Sequence, residues 1–237
     1  MTALICLTYD DALAVHRETV APELNERGMH GTFYIPVARE DLFSGLEGWR
    51  KAAEMGHELG NHSCWHPCRG WPTWLPRAYY LEDYDRVRIR EELLLANRVL
   101  GLVDGGTVRT YGSTCGDLTI GPGQGESFLE DIRDLFTLVR SGHSDRPQSG
   151  PMPFVAPLWP VDGCRAEDLI AVIETMRDVP DSWMILGMHG VDAGTHGSFM
   201  DAKEHRRLID WIAAQCDWLE AVTVQEAAQR RGVLKEG

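Results

Sequence analysis

Two histidines four residues apart are the clearest sign of metal chemistry in this chain. His62 and His66 lie in the run His-Ser-Cys-Trp-His, which follows the third predicted strand, 57–60. On one helical turn, imidazoles at this spacing face the same side and can bind one cation at about 2.0–2.1 Å from each nitrogen. The spacing alone is a weak signal, so it predicts a metal site only together with a further ligand.

A pair of adjacent carboxylates offers that ligand. Asp10 and Asp11 end the first apolar segment of the chain. Burying both is unfavourable unless a cation or a proton neutralises them. The alternative is a structural role, in which one caps a helix and the other interacts with the helix dipole. Two imidazoles and one carboxylate leave coordination positions open for water and substrate, which favours a catalytic metal site.

A third histidine follows another apolar run. His189 comes directly after 183–188 (Trp-Met-Ile-Leu-Gly-Met) and precedes Gly190. A histidine at the end of a buried strand can serve as a general acid or base, because its pKa lies close to neutral pH. The alternative is a hydrogen-bonded histidine of the core.

Short apolar runs alternate with amphipathic stretches, which predicts alternating strands and helices joined by right-handed crossovers. We expect strands at 3–8, 31–36, 57–60, 106–111, 135–139, 153–158, 183–188 and 218–223, and helices at 13–27, 46–55, 81–99, 126–134, 166–177, 201–215 and 225–231. About eight such units in 237 residues predict an α/β fold, an irregular (β/α) barrel of about seven to eight parallel strands. We expect the whole chain, 1–237, to form a single domain.

The expected strand ends bring the candidate side chains together. Asp10, Asp11, His62, His66 and His189 all follow predicted strands. In a parallel barrel the carboxyl ends of the strands converge on one face, and active sites lie there. The sequence therefore predicts a metal-dependent hydrolase.

The charge of the chain argues against some classes of binding partner, and its first residues predict where in the cell the protein is found. The formal net charge is −13, from 23 basic and 36 acidic residues, which argues against nucleic acids and anionic membranes as partners. No apolar run approaches the roughly 18–20 residues of a membrane span. The first residues lack the pattern of a secretion signal, so we expect a cytoplasmic protein whose six cysteines are free thiols.

Residues 61–80 interrupt the alternation of strands and helices. They contain Trp65, Trp71 and Trp74 together with three prolines, which predicts a long loop of the kind that often carries function. These tryptophans either stack on the faces of a bound sugar or pin the loop. Exposed apolar surface on the loop would support a homo-oligomer.

The chain resembles the polysaccharide deacetylase family, the NodB-homology domain of carbohydrate esterase family four. Residues 8–12 (Thr-Tyr-Asp-Asp-Ala) resemble its first motif, 56–67 its second, His-(Ser/Thr)-x-x-His, and 183–191 its last, Leu-x-His at a strand end. The tail, 218–226, resembles the closing strand and helix of the family. The resemblance therefore covers nearly the whole chain.

The resemblance implies a role for each matching residue. It assigns Asp11, His62 and His66 as ligands of a divalent metal ion, with Asp10 as general base and His189 as general acid. Zinc is the expected ion, and cobalt, nickel and manganese are alternatives. The implied fold is a distorted (β/α) barrel, and the implied reaction removes acetyl groups from N-acetylated or esterified sugars.

Two family motifs depart from their usual form. The third usually reads Arg-Pro-Pro-Tyr-Gly, or Tyr-Pro-Cys-Gly in a variant branch, whereas 111–117 here lacks both prolines and the arginine. We expect the backbone N–H of Cys115 to bind the oxyanion, Arg109 to pair with Asp10, and Trp65 to contact the substrate. The fourth motif, Asp-x-x-Asp-Trp, has its nearest match at 181–183, which comes too late in the chain.

These departures favour a small substrate. With no leader sequence, a cytoplasmic N-acyl sugar, a sugar conjugate or a related small amide is more plausible than an extracellular polymer. Two alternatives stay open: a metal-independent hydrolase of cyclic ureides or imides from the same superfamily, and an inactive carbohydrate-binding relative. The first alternative is disfavoured because that branch loses residues of the metal motifs, which are present here.

Overall fold

Seven parallel strands close into a barrel in the computed structural model, which describes residues 2–38 and 40–234. In order around the ring they are β1 (Ala3–Asp10), β2 (Thr32–Ile35), β3 (Glu58–Asn61), β4 (Tyr111–Gly112), β7 (Val139–His143), β9 (Val155–Pro160) and β10 (Ser182–Met188). The ring closes where β10 pairs with β1 in parallel over six residues, from Leu4 opposite Trp183 to Tyr9 opposite Met188. The predicted barrel of seven to eight parallel strands is confirmed.

Burial explains why the first and last barrel strands form. All eight residues of β1 and all seven of β10 are buried, as expected of strands covered on both faces. One face packs into the barrel, and the other packs under surrounding helices through side chains such as Leu24, Leu208 and Ile209. The β1–β10 seam is therefore a firm support for residues at its carboxyl end.

Eight α-helices and six short strands complete the fold within the described ranges, together with short 3₁₀ and π-helical turns. The helices are α1 (Ala21–Asn25), α2 (Glu40–Ser44), α3 (Leu46–Glu54), α4 (Arg86–Asp104), α5 (Leu129–Ile132), α6 (Ala166–Glu174), α7 (Ala202–Ala213) and α8 (Val224–Arg231). The strands are β5 (Thr119–Ile120), β6 (Glu126–Ser127), β8 (Gln148–Ser149), β11 (Gly190–Val191), β12 (Phe199–Met200) and β13 (Leu219–Ala221). The predicted strand at 218–223 is therefore β13, which pairs with the first residues of β1 outside the ring.

The helix predicted at 81–99 lies further along the chain, at α4. Its start is fixed by Asp85, whose side chain accepts a hydrogen bond from the backbone N–H of Arg88 at 2.8 Å. Its end is fixed by Gly105, which adopts a left-handed backbone with φ 73°. Residues 81–83 instead form a 3₁₀ turn tied to the long loop by the N–H of Leu81, which donates to the carbonyl of Cys68.

Other boundaries differ for local reasons. The predicted helix 13–27 is a π-helical turn, His16–Val20, followed by α1, which carries Pro22 in its first turn. Proline lacks the N–H that a continuous helix needs inside a turn. The strand predicted at 106–111 shrinks to β4 because Arg109 bonds back to Asp104 and Gly106 and holds the segment before it in a turn. The helix predicted at 126–134 contracts to α5, and α2 was not predicted.

Candidate active site

Four barrel strands deliver the candidate side chains to one cavity. β1 ends in Asp10 and runs into Asp11, β3 is followed by His62, β7 carries Arg140, and β10 is followed by His189. Each of these residues lines a single cavity of about 690 Å³ at the carboxyl ends of the strands. The convergence that the sequence predicted is therefore present in the structure.

The backbone at this edge adopts uncommon conformations. Asp11, Ala12, Ser63 and His66 all have positive φ values, of 76°, 54°, 64° and 57°. Non-glycine residues adopt this region at a cost of order 1–3 kcal/mol each, and such residues cluster at functional sites. The loops after β1 and β3 are thus bent to aim side chains into the cavity. Ser63 also accepts a hydrogen bond from the N–H of His66 at 2.9 Å, which supports that bend.

Asp11, His62 and His66 form a compact cluster of metal-ligating types. One potential ligand atom from each lies within 4.8 Å of the others. His66 Nε2 is 3.4 Å from Asp11 Oδ1, and His62 Nε2 is 4.0 Å from the same oxygen. One cation at about 2.0–2.2 Å from each ligand fits atoms that close. The donor set of two imidazoles and one carboxylate suits a catalytic divalent ion.

The two imidazoles are held in the neutral form that binds metals. His62 donates from Nδ1 to the carbonyl of Gly112 at 2.7 Å, which leaves Nε2 for the cluster. Burial lowers the pKa of His62, and burial together with the proximity of His62 lowers the pKa of His66 to about 4. Neither ring needs to lose a proton at neutral pH before it can act as a ligand.

Asp10 is paired with an arginine that the sequence analysis missed. The Nη2 of Arg140 donates to Asp10 Oδ2 at 2.7 Å, and its Nη1 donates to Thr8 at 3.1 Å. Burial is the largest influence and acts to raise the pKa of Asp10, but the Arg140 guanidinium together with the nearby His62 and His189 outweighs it and holds that pKa below its usual value. The other oxygen, Oδ1, is buried and has no hydrogen-bond partner among the described residues. Asp10 is therefore an ionised carboxylate with one oxygen available.

The expected pairing of Arg109 with Asp10 is wrong. Arg109 precedes β4, so it lies at the amino end of the barrel, where it donates to Asp104 at 2.6 Å and to the carbonyl of Leu59 at 3.2 Å. This placement also removes Arg109 from the expected substrate contacts. Arg140 is the arginine that pairs with Asp10 instead. Gly112 leaves room for it, since a Cβ at Gly112 would lie 2.8 Å from Arg140 Nη2.

His189 is oriented by a second carboxylate that the sequence analysis missed. Its Nδ1 donates to Asp162 Oδ2 at 2.6 Å, and its backbone N–H donates to Asp162 Oδ1 at 3.0 Å. Burial opposes protonation, but the Asp162 hydrogen bond and the nearby carboxylates outweigh it and raise the pKa of His189. Asp162 follows β9, a strand end that could have drawn attention to it. Asp181, the nearest match to the fourth motif, precedes β10 and pairs with Arg231 instead.

A further histidine enters the site from the loop between β11 and β12. The ring of His196 stacks on that of His189, with centroids 5.0 Å apart and planes 11° apart. Its Nε2 lies 3.6 Å from Asp11 Oδ2. No motif signalled this residue, since it stands in a short polar segment after the last motif.

Of the two remaining residues expected to contact the substrate, Cys115 lines the cavity and Trp65 does not. Cys115 lines the cavity, but its sulfur is bonded to Cys68 with a Cα–Cα distance of 5.7 Å, so the expectation of free thiols is wrong for this pair. Trp65 stacks on Tyr79, with centroids 5.5 Å apart, and is not among the residues that line the cavity. Trp74 lines it instead, 5.7 Å from the ring of His66 and 63% exposed.

A comparison of the sequence with known protein families shows to which family the chain belongs. Residues 2–119 match the family described as polysaccharide deacetylase. The chain belongs to the polysaccharide deacetylase family. The matched part of this deacetylase-family chain contains Asp10, Asp11, His62 and His66, and the rest supplies Arg140, Asp162 and His189. Comparison with curated proteins finds no significant match.

Solved structures share the fold of this deacetylase-family protein. The Xyl-CE4 domain of a multidomain xylanase from the hindgut metagenome of Trinervitermes trinervoides is 15% identical, with a TM-score of 0.61 over 99% of this chain and 93% of that one. A family 4 acetyl xylan esterase from Clostridium thermocellum, in complex with a cobalt ion, is 22% identical, with a TM-score of 0.59 over 98% and 93%. BA3943, a CE4 family pseudoenzyme from Bacillus anthracis, is 14% identical, with a TM-score of 0.58 over 95% and 65%.

At these identities the likeness establishes the barrel and not the reaction. The set includes enzymes and a pseudoenzyme, so activity has to be argued from this chain's own site. None of the helices within 2–38 and 40–234 is long and apolar enough to cross a membrane.

Proposed function

We propose that the protein is a metal-dependent hydrolase that removes an acetyl or other acyl group from an N-acetylated sugar, a sugar conjugate or a related small amide. The observation that carries the proposal is the meeting of three sets of side chains in one cavity. These are the Asp11–His62–His66 cluster, the Asp10–Arg140 pair and the His189–Asp162 pair. Together they provide a cation site, a base and an acid for hydrolysis of an amide.

Asp11, His62 and His66 would hold the divalent ion. Zinc fits this mixed nitrogen and oxygen donor set, and cobalt, nickel and manganese are alternatives. When bound there, the ion would polarise the substrate carbonyl and lower the pKa of water. The cobalt ion in the Clostridium thermocellum acetyl xylan esterase supports a divalent cation in this fold.

Asp10 would act as the general base. Arg140 holds its Oδ2 and keeps the carboxylate ionised, which leaves Oδ1 to accept a proton from the attacking water. The arginine also fixes the direction of that oxygen, because β1 and β7 place both groups on rigid strands. Proton transfer by a positioned group typically contributes about 10²–10⁴-fold to the rate.

His189 would act as the general acid. Its Nδ1–H is engaged by Asp162, so Nε2 is the nitrogen available to protonate the leaving amine. An amine leaves poorly without that proton, because the free anion is too basic. The Asp162 hydrogen bond raises the pKa of His189, which favours the protonated form that a general acid needs.

The wall of the cavity suggests how the substrate is held. The backbone N–H of Cys115 would bind the oxyanion, and Trp74 would stack on the ring of the acceptor. Trp65, stacked on Tyr79 outside the cavity, would support the loop rather than touch the acceptor. Cytoplasmic localisation and homo-oligomer formation stay predictions that fractionation and light scattering would test.

One experiment separates the proposed hydrolase from its alternatives. Acetate release from a panel of N-acetylated sugars and small amides is measured for the wild type and for Asp10→Asn, each loaded with zinc. We expect turnover in the wild type and a loss of about 10²–10⁴-fold in Asp10→Asn with its metal content unchanged. Equal activity in the two proteins would refute the role of Asp10. Binding of sugars without any turnover would favour an inactive carbohydrate-binding relative, and BA3943 shows that pseudoenzymes occur on this fold.

A further inference from the structure

A disulfide joins the loop that carries His66 to the loop that follows β4. Cys68 lies two residues after His66, and Cys115 lies 47 residues further along the chain. Cys68 is buried, whereas Cys115 is exposed and lines the cavity. A reductant that enters the cavity can therefore reach this bond through the Cys115 sulfur.

The two ring nitrogens of His66 face two different groups. Nε2 lies 3.4 Å from Asp11 Oδ1, in the cluster assigned above to the catalytic ion. Nδ1 lies 3.5 Å from the Cys68 sulfur. A metal-binding histidine usually donates its second N–H to an oxygen, as His62 does to the carbonyl of Gly112. The second nitrogen of His66 is turned towards sulfur instead.

We propose that reduction of this disulfide creates a second metal site, for a soft divalent cation, from the sulfurs of Cys68 and Cys115 and the Nδ1 of His66. These ligand atoms already lie within 4.8 Å of one another. Thiolate sulfur and imidazole nitrogen are ligands that zinc and softer ions prefer. The site needs only His66 and the two cysteines, so it does not depend on the proposed hydrolase function.

The conversion balances with an external thiol or phosphine reductant. Two electrons and two protons convert the S–S bond into two thiols. A thiol reductant supplies both from two molecules that become a disulfide, whereas a phosphine supplies the electrons and takes an oxygen from water, whose two protons go to the thiols, to become a phosphine oxide. Each thiol releases its proton when its sulfur binds the cation. The sulfurs then separate to about 3.8 Å, the edge of a tetrahedron with metal–sulfur bonds of about 2.3 Å.

Hydrogen bonds beside the cysteines hold both loops in place after the S–S bond breaks. The hydroxyl of Thr114 donates to the carbonyl of Pro67, and the N–H of Arg69 donates to Asp117 at 2.9 Å. Each bond joins the neighbour of one cysteine to a residue near the other. The reduced pair therefore remains close enough to share one ion.

Cadmium is the probe for this site, because cadmium bound to thiolates absorbs in the ultraviolet. The full-length protein is titrated with Cd²⁺ in two states, oxidised and reduced with a phosphine that is then removed without air. We expect thiolate–cadmium absorption in the reduced protein that saturates at about one Cd²⁺ per chain, and none in the oxidised protein.

Variants identify the ligands. Reduced Cys68→Ser and Cys115→Ser should each lose the band, whereas reduced Cys216→Ser, which changes an exposed free thiol, should keep it. A reduced wild type without the band, or an undiminished band in both cysteine variants, would overturn the proposal. His62→Ala separates the two inferences, because it removes a ligand of the first site and should leave the band intact.

Discussion

Replacement of Arg140 by methionine should shift the pH dependence of the reaction. In the wild type this guanidinium, together with His62 and His189, holds the pKa of Asp10 below its usual value of 3.8, against the opposing effect of burial. An opposite charge in contact typically lowers a carboxyl pKa by about 1–3 units. Without it, burial dominates, so we expect the acid limb of kcat/KM to move up by about 1–3 pH units.

The same replacement should destabilise the protein in a defined pH range. A carboxyl group with a lowered pKa in the folded state stabilises that state above its unfolded pKa, and the stabilisation is lost as the pH falls through the folded value. At about 1.36 kcal/mol per unit, a change of 1–3 units corresponds to about 1.4–4 kcal/mol of unfolding free energy at neutral pH. The buried setting of both side chains, each at most 10% exposed, keeps solvent screening small.

Arg109→Met is the matched control. Arg109 is also a buried arginine paired with an aspartate, at 2.6 Å, but it lies at the amino end of the barrel. Both variants should lower the midpoint of thermal unfolding, and only Arg140→Met should move the acid limb of kcat/KM. Identical pH profiles for Arg140→Met and the wild type, with both proteins folded, would refute the role assigned to Arg140.

Three further outcomes follow from the site. Asp162→Asn should lower the pKa of His189, so the alkaline limb of kcat should move to lower pH by about 1–3 units; an unmoved limb would argue against His189 as the acid. His62→Ala should reduce the zinc content measured by mass spectrometry far below about one ion per chain, whereas His30→Ala, distant from the cluster, should not. Trp74→Ala should raise KM by roughly 3- to 10-fold with little change in kcat, and an unchanged KM would remove Trp74 from substrate binding.

Much of the fold could be predicted because its signals are local. Apolar runs marked β1, β2, β9 and β10, whereas the predicted strands 106–111 and 135–139 overlap β4 and β7 at one residue each. The residues at the ends of β1, β3 and β10 carried the family motifs. Some boundaries differed for local reasons, such as Pro22 in the first turn of α1, and others also depend on contacts between distant segments. The start of α4, for example, is set partly by the N–H of Leu81 bonding to Cys68, and no pattern within 81–99 contains that information.

The site could be predicted only where a motif contained the functional residues themselves. Arg140 and Asp162 act through partners that are 130 and 27 residues away in sequence, and His196 approaches Asp11 from 185 residues away, so no motif marks them. Arg109 was predicted to pair with Asp10 because it lies close in sequence to the missing motif arginine. It precedes β4, however, and therefore lies at the opposite end of the barrel from Asp10. The Cys68–Cys115 disulfide was missed because free thiols were expected in a chain without a secretion signal. The sequence also did not show that the loop after β3 and the loop after β4 lie next to each other.

The central claim is that Asp11, His62 and His66 hold a divalent ion on which hydrolysis depends. The most direct test is acetate release from the best substrate of the panel by protein that has been exhaustively chelated and then titrated with zinc. We expect activity to vanish on chelation and to return in proportion to zinc up to about one equivalent per chain. Full activity in the chelated protein would contradict the claim and would favour the metal-independent alternative.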